Sequence, residues 1–507
     1  MPALSKGAWG ALAAIMLVAA WLRFWTIGAG LPYALGVDEP EIVTRVVAMM
    51  KTGDFNPRFF DWPSLTFYVQ LVVSCLVFLA GAMHGAWNSL GAVGPEDFYY
   101  SGRMVTAAIG TGTVLVLFCA ARRWGTSTAL IAAATLAILP THVRESHFVL
   151  ADVPTAFFTT LALLLAIRAW ERPTQPAFAA AGFVVGLAAS SKYNGLVAIA
   201  FPLIAAWSRR AAPVVILQRT LIVGGMIGVG FLLGTPYAVL DLPKFLNDYS
   251  RLASIFAEPR GGEAGWSLYL KYLRQSFGWA GSILAVVGLM ACAATALRGP
   301  DRAMGLLLTI FPLLYFVVIA RAYQIYARYT MPLLPVLALV TAIGAVAIWN
   351  ALKGWAPERA RTAVVALALL VAMAEPLHRV VMFDWQRTKT TAVDVAYSWI
   401  DQNVPRGAVI VTEVYPTLLR SPRYRFRCIW PLKGETYNDY VAHGVDYVLI
   451  SSLGYDPAFK APGDYPAAYA GYRSLLSQAQ EVATFTAPNH EGPELKMLRL
   501  RAASAAQ

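Results

Sequence analysis

The stretch HFVLADVPTAFFTTLALLL, residues 147–165, sets an aspartate, Asp152, near the head of a long apolar run. Taken from Val149 to Arg168, that run supplies the roughly 20 mostly apolar residues a helix needs to cross the hydrocarbon of a bilayer. A carboxylate at the end of such a helix lies at the membrane boundary, where an ionisable group usually marks a polar recess. Reading outward, comparable runs occur at 8–27, 100–121, 126–140, 176–191, 193–208, 214–234, 277–297, 303–320, 329–351 and 362–382. Together they predict a polytopic α-helical membrane protein with about 11 transmembrane helices, or 12 to 13 at the upper bound. The whole chain agrees: of 507 residues, 58% are hydrophobic and 14% charged, and the mean hydropathy is +0.54. Lipid is its main solvent.

A formal net charge of +12 would point a soluble protein toward nucleic acid. Here the basic residues collect at every second connection: Arg122 and Arg123; Arg168 and Arg172; Arg209, Arg210 and Arg219; Arg298 and Arg302; Lys353, Arg359 and Arg361. By the positive-inside rule these loops, together with Lys6, face the cytoplasm, and no nucleic-acid partner is implied. The opposite face receives DEPEIV (38–43), PTHVRESHFVLAD (140–152), the turn SKYNG (191–195), GTPYAVLD (234–241), RAYQIYARY (321–329) and the polar C-terminal segment. One segment, 63–83, is apolar enough to span but would reverse every later loop if it did. It is expected to lie along or dip into the outer face, making residues 28–99 one large external loop.

The N-terminal run has no well-placed cleavage site and reads as a retained anchor. Four scattered cysteines suggest neither a metal knuckle nor a disulfide framework. From about Asp384 the pattern changes: TAVDVAYSWIDQN has helical spacing, and AVIVTE, VDYVLISS, EVATFTA and ELKMLRLR read as strands. The expected organisation is a transmembrane domain, 1–383, followed by a small soluble α/β domain, 384–507, outside the cytoplasm.

Ionisable groups gather on that outer face. Asp38 and Glu39 precede Pro40, Asp61 precedes Pro63, His147 and Asp152 flank the start of a span, Lys192 adjoins Tyr193, and Arg321 and Arg328 bracket Tyr326. Each has a bland reading: an acidic cap before proline starts a helix, a lone histidine satisfies itself at an interface, and Lys or Arg beside tyrosine snorkels to headgroups. As a set they describe a pocket with carboxylates on one wall and cations on another. A carboxylate accepts the proton of an attacking hydroxyl or amine, and cations stabilise a departing phosphate.

The order of motifs resembles the GT-C fold of membrane glycosyltransferases, specifically the family 39-like group of protein O-mannosyltransferases and aminoarabinose transferases. The likeness runs along nearly the whole chain: DE in the first external loop, FDWPSLTFY (60–68), SGRMVTAAIGTGTVLVLF (101–118), HFVLADVPTAFFTTLALLL, GLAASSKYNGL (186–196), GTPYAVLD, YARYTMPLLPVLAL (326–339) and WIDQNVPRGAVIV (399–411). It implies a polyprenyl-phosphate-linked sugar donor, a protein, lipid or glycan acceptor, and a site on the non-cytoplasmic face of a bacterial inner membrane, the periplasmic side. It implies Asp38 as general base or as the group that orients the acceptor, and Asp152 shaping the acceptor pocket; Glu39, beside Asp38, is a further catalytic candidate. Lys192, Arg321, Tyr326 and Arg328 are the candidates for the donor phosphate, chiefly from topology and charge. Asp61 falls where aminoarabinose transferases carry an acidic residue tied to metal binding, but the usual Lys-Pro-Pro is replaced by Trp62, Pro63 and Ser64. A divalent cation, with Asp61 and His147 as its candidate ligands, is left open; no nucleotide is implied, since no glycine-rich phosphate loop is present. The implied reaction is an inverting single displacement. The alternative is a transporter or flippase of a lipid-linked substrate, which would favour inverted repeats that are not visible; a scaffold protein is weaker still.

Overall fold

The computed structural model describes residues 3–31, 38–208, 211–257, 264–298, 301–322, 324–413, 424–428, 434–488 and 493–500. The chain divides into two compact units. The first comprises Met1–Ile27, Ala48–Leu76 and Ser101–Asp384; the second comprises Gly28–Val47, Val77–Tyr100 and Trp385–Gln507.

Among the described residues, nine helices are long and apolar enough to cross a membrane: Lys6–Phe24, Leu65–Met83, Tyr99–Trp124, Asp152–Glu171, Pro213–Gly234, Gly265–Arg298, Arg302–Ala320, Leu333–Ala351 and Glu358–Asn403. The last of these breaks after Arg387. Three shorter apolar helices, Thr126–Ala137, Gln175–Ser191 and Tyr193–Trp207, accompany them. Each of the eleven expected spans falls on one of these helices. Side chains such as Leu217, Leu221, Leu367 and Leu370 are exposed, as apolar residues are when their neighbour is lipid rather than water.

Close backbone approach organises the first unit. Gln175–Ser191 lies against Pro213–Gly234 with almost no space between them. A Cβ on Gly186 would sit 2.3 Å from the Ile227 carbonyl oxygen, and one on Gly230 would sit 2.2 Å from that of Phe183. Small residues permit this packing, which replaces the hydrophobic effect as the source of helix association in lipid. At one end of the unit Arg123 draws three connections together, reaching Glu171 at 3.5 Å and Asp301 at 2.7 Å. At the other end Asp152, Lys192 and Arg328 meet. Arg123 and the group of Asp152, Lys192 and Arg328 thus occupy opposite ends of the helix Asp152–Glu171.

The helix Leu65–Met83 ranks with the crossing helices by length and mean hydropathy, 2.1. Its surroundings argue against a single crossing. Arg103, in the first turns of the next helix, donates to the Ile27 carbonyl at 3.1 Å, so the chain returns to the end from which the first helix left. The connection 84–98 contains only turns and two short 3-10 helices, and such backbone does not traverse hydrocarbon.

The second unit contains a five-stranded sheet. Its strands are β1 (Val409–Thr412), β2 (Arg425–Cys428), β3 (Tyr447–Ser451), β4 (Gln480–Phe485) and β5 (Leu495–Arg499), in the order β2-β1-β3-β5-β4. The pairs β1–β2 and β1–β3 are parallel, whereas β3–β5 and β4–β5 are antiparallel. Period-two alternation supplies both faces. Ile410, Leu449 and Met497 pack on the helix Ala392–Asn403, while Val411, Val448, Ile450 and Leu498 join Tyr472 and Leu475 of the helix Pro466–Gln478. Four of the strands lie where the alternation predicts them; β2, RFRC, is an addition.

Candidate active site

A cavity of about 700 Å³ opens in the first unit, lined by Asp61, Lys192, Tyr193, Arg321, Tyr326 and Arg328 among others. Sequence and local packing explain how each side chain arrives. The helix Gln175–Ser191 stops because Lys192 is extended (φ −156°, ψ 138°). The following turn closes with Gly195 N–H on the Lys192 carbonyl at 2.8 Å. Only glycine fits at that point: a Cβ on Gly195 would lie 2.3 Å from the Ala188 carbonyl oxygen. Lys192 is therefore fixed at the mouth of a rigid helix pair. Its Nζ donates to Asp152 Oδ1 at 2.7 Å and lies 4.3 Å from the centre of the Tyr329 ring.

Asp152 is buried in the first turn of its helix, where a carboxylate complements the helix dipole. The same carboxylate faces Arg328 Nε at 3.9 Å. Arg328 comes from the short 3-10 turn Ala327–Thr330 and stacks 4.8 Å over Tyr326. Below this turn, Asn194 donates to the Tyr315 hydroxyl at 2.8 Å, which in turn donates to the Tyr329 carbonyl at 3.0 Å. Arg321 is exposed to the cavity and makes no ion pair among the described residues.

The segment carrying Asp61 is pinned from three sides. Phe60 N–H donates to Asp248 Oδ2 at 3.1 Å, Tyr193 donates to the Phe60 carbonyl at 2.8 Å, and Ser64 N–H donates to Thr235 Oγ1 at 3.1 Å. Asp61 itself accepts from Arg251. Burial pushes the Asp61 carboxyl above its ordinary value, with the Arg251 charge opposing. Glu145, buried beside Arg144, is likewise pushed up by burial, which favours its neutral form. The Asp152 carboxyl thus stands against Lys192, Arg328 and Arg321, and the recess favours an anion. Leu252, Ile255, Val318 and Ile319 give the same cavity an apolar wall. Such a shape suits a ligand with an anionic head and a hydrocarbon tail.

The other expected residues lie elsewhere. Asp38 and Glu39 belong to the second unit. Glu39 is fully buried and opens the helix Glu39–Thr52, with Pro40 next, and the Asp38 carbonyl accepts from Ile42 N–H at 3.3 Å. This is the helix-starting geometry that an acidic residue before proline supports. Asp61 and His147 meet different partners. Asp61 is held by Arg251; His147 Nδ1 donates to the Val143 carbonyl at 2.9 Å, and its Nε2 faces Asp384 Oδ1 at 3.1 Å. Among the described residues no three His, Cys, Asp or Glu side chains converge on a point.

Sequence reading missed Asp248, Tyr249 and Arg251, because the region after GTPYAVLD reads as a loop. It is the helix Leu242–Ala257. Lys244, Asp248 and Arg251 recur at helical spacing, as do Phe245, Tyr249 and Leu252, and that two-faced period is the available signal.

Residues 66–227 match the family model described as dolichyl-phosphate-mannose-protein mannosyltransferase. No curated protein matches the chain in sequence. Among solved structures, ArnT from Cupriavidus metallidurans bound to undecaprenyl phosphate is similar at 16% identity and a TM-score of 0.56, over 99% of this chain and 100% of that one. The Archaeoglobus fulgidus oligosaccharyltransferase tethered to an acceptor peptide is similar at 15% identity and a TM-score of 0.62, over 92% of this chain and 72% of that one. The same archaeal enzyme in complex with zinc and sulfate gives 16% identity and a TM-score of 0.57, over 90% and 70%. The bundle, the appended sheet and the match over 66–227 agree with the motif order read from the sequence: the chain is a polytopic membrane protein with the GT-C fold of these solved structures, and its residues 66–227 resemble the mannosyltransferase family model.

Proposed function

We propose that the protein transfers a sugar from polyprenyl phosphate to an acceptor at the non-cytoplasmic face, with the donor phosphate in the cavity of Lys192, Arg321, Tyr326 and Arg328. The observation that carries this reading is one recess lined both by three cations, Lys192, Arg321 and Arg328, and by the apolar side chains Leu252, Ile255, Val318 and Ile319. A nucleotide donor would need no hydrocarbon wall. The undecaprenyl phosphate of the Cupriavidus structure and the acceptor peptide of the archaeal one support a donor and an acceptor of these classes.

In the proposed step the acceptor hydroxyl or amine gives its proton to a carboxylate base, the role that the family resemblance assigns to Asp38, and attacks the anomeric carbon. The bond from that carbon to the phosphate oxygen breaks on the opposite side, the electron pair leaves on phosphate, and the configuration inverts. Charge grows on the leaving oxygen, so Lys192 and Arg328 stabilise the transition state more than the ground state. Asp152 holds Lys192 in place for this task. Asp61 and His147 do not fit a shared cation, and no step is routed through one. The basic loops gathered around Arg123 support a cytoplasmic assignment for that end. We accordingly assign the cavity to the periplasmic side of a bacterial inner membrane.

The test is release of undecaprenyl phosphate from undecaprenyl-phosphate-linked sugars by the full chain in lipid nanodiscs. Asp38→Asn should abolish release yet retain donor binding, whereas Lys192→Ala should weaken binding as well. A chain that moves the lipid-linked sugar across the bilayer, with no release by any form, would establish a transporter instead.

A further inference from the structure

The first unit buries a second set of ionisable groups that the proposed reaction does not use. Arg23, near the end of the first helix, donates to the carbonyls of Ala19 (2.9 Å), Ala137 (3.0 Å) and Leu136 (3.2 Å), and lies 2.9 Å from His142 Nδ1. Asp384, the last residue of the unit, is fully buried. Its Oδ1 accepts from the Thr26 hydroxyl at 3.3 Å and faces His147 Nε2 at 3.1 Å. Its Oδ2 meets no hydrogen-bond donor among the described residues. Thr26 has φ 61°, a conformation that a β-branched residue rarely adopts.

Stability is a poor explanation for this cluster. Buried ionic groups are often bettered by apolar packing, a half-satisfied carboxylate is costly, and the Thr26 backbone adds strain that persists only where its surroundings over-determine it. Placement explains more. The two histidines lie in the segment 138–151, between the helices Thr126–Ala137 and Asp152–Glu171, and that segment carries Glu145 and delivers Asp152 to Lys192. Arg23 caps the carbonyls where the segment begins, as a cation does at a helix C-terminus. Asp384 Oδ1 lies 3.1 Å from His147 Nε2 near the middle of that segment, and an ion pair forms there when the imidazole is protonated.

We propose that Asp384, holding His147 and Thr26, is a positioning residue that sets Asp152 against Lys192. The activity arm of this inference rests on reading the cavity as a phosphate site; the geometric arm does not.

The experiment uses the full chain in nanodiscs and follows acetylation of Lys192 by acetic anhydride with mass spectrometry, taking Lys353 at the opposite end as internal control. In Asp384→Asn, Lys192 labelling should rise severalfold toward the level of Asp152→Asn while Lys353 stays unchanged. Undecaprenyl phosphate binding should weaken, and combining the two substitutions should add nothing further, as for groups acting through one another. Unchanged Lys192 labelling overturns the proposal. Should Asp384→Asn lose the thermal unfolding transition of the parent chain, the variant has lost its fold and Thr26→Gly decides. That change removes one arm of the grip while relaxing the backbone, and it must raise Lys192 labelling alone for the proposal to stand. If undecaprenyl phosphate binds neither protein while labelling still responds, the positioning role holds and the phosphate reading fails.

Discussion

Lys192 is where local geometry and chemistry converge, since a helix stop, a glycine-only turn and one buried carboxylate fix its ammonium. Removing it as Lys192→Met should lower kcat/KM for donor by about 10²–10³, the loss typical of a transition-state charge partner. Arg328→Lys should also fail, because the planar guanidinium both stacks on Tyr326 and reaches Asp152, and an ammonium cannot do both. Asp61 gives a pH-dependent prediction. Burial raises its carboxyl, so the ionised form that pairs with Arg251 is present above that raised value and lost as pH falls through it. Donor binding should show an acid limb above the ordinary carboxylate range, and Asp61→Asn should lack the limb, as a titration of binding from neutral to acidic pH will reveal. At this scale the cations were readable from loop charge alone, because charge at a span boundary is rare enough to be informative. The partners were not: which carboxylate faces Lys192, or that Arg251 claims Asp61, depends on which helices adjoin.

The helix pair Gln175–Ser191 and Pro213–Gly234 makes the turn at Lys192 stiff. Gly230→Leu would drive a side chain into the Phe183 carbonyl, and should destabilise the bundle by about 3 kcal/mol or more, the upper range for overpacking. Thermal unfolding in nanodiscs should show it, with donor binding lost in parallel. In the second unit the capping box of Thr391 and Asp394 starts the helix Ala392–Asn403. Thr391→Ala should cost that unit about 1 kcal/mol and leave the Lys192 environment untouched, as hydrogen exchange resolved by segment would report. Elements with one strong period were readable: the long apolar runs, and strands such as VDYVLISS. The helix Leu242–Ala257 was not, because its polar face mimics a loop when only hydropathy is weighed. Strand β2 was missed because four residues with alternating arginines carry too short a pattern; pairing with β1 makes it a strand.

For the whole molecule, the alternation of basic connections set the topology, and the clustering of Arg123 with Glu171 and Asp301 away from Lys192 agrees with it. The helix Leu65–Met83 shows the limit of that argument, since hydropathy gives length but not direction. Cysteines placed at Asp54 and Ser89 should react with a membrane-impermeant maleimide from the same side, and one placed at Arg359 only from the other; reaction of Asp54 and Ser89 from opposite sides would require a crossing between them. Legibility at this scale came from parity and charge, which sequence states directly, whereas the depth and lining of the cavity came from helix adjacency, which it does not.

The glycine contacts between Gln175–Ser191 and Pro213–Gly234 leave those two rods no slack, so they travel as a single piece and Lys192 with them. Entry of a bulky lipid must then be accommodated on the facing bank, where Leu242–Ala257 is joined to the Asp61 strip by side-chain bonds instead of interlocked backbones. Selectivity for the length and branching of the tail would accordingly be re-tuned by changes on that bank, with the chemistry at the phosphate left intact.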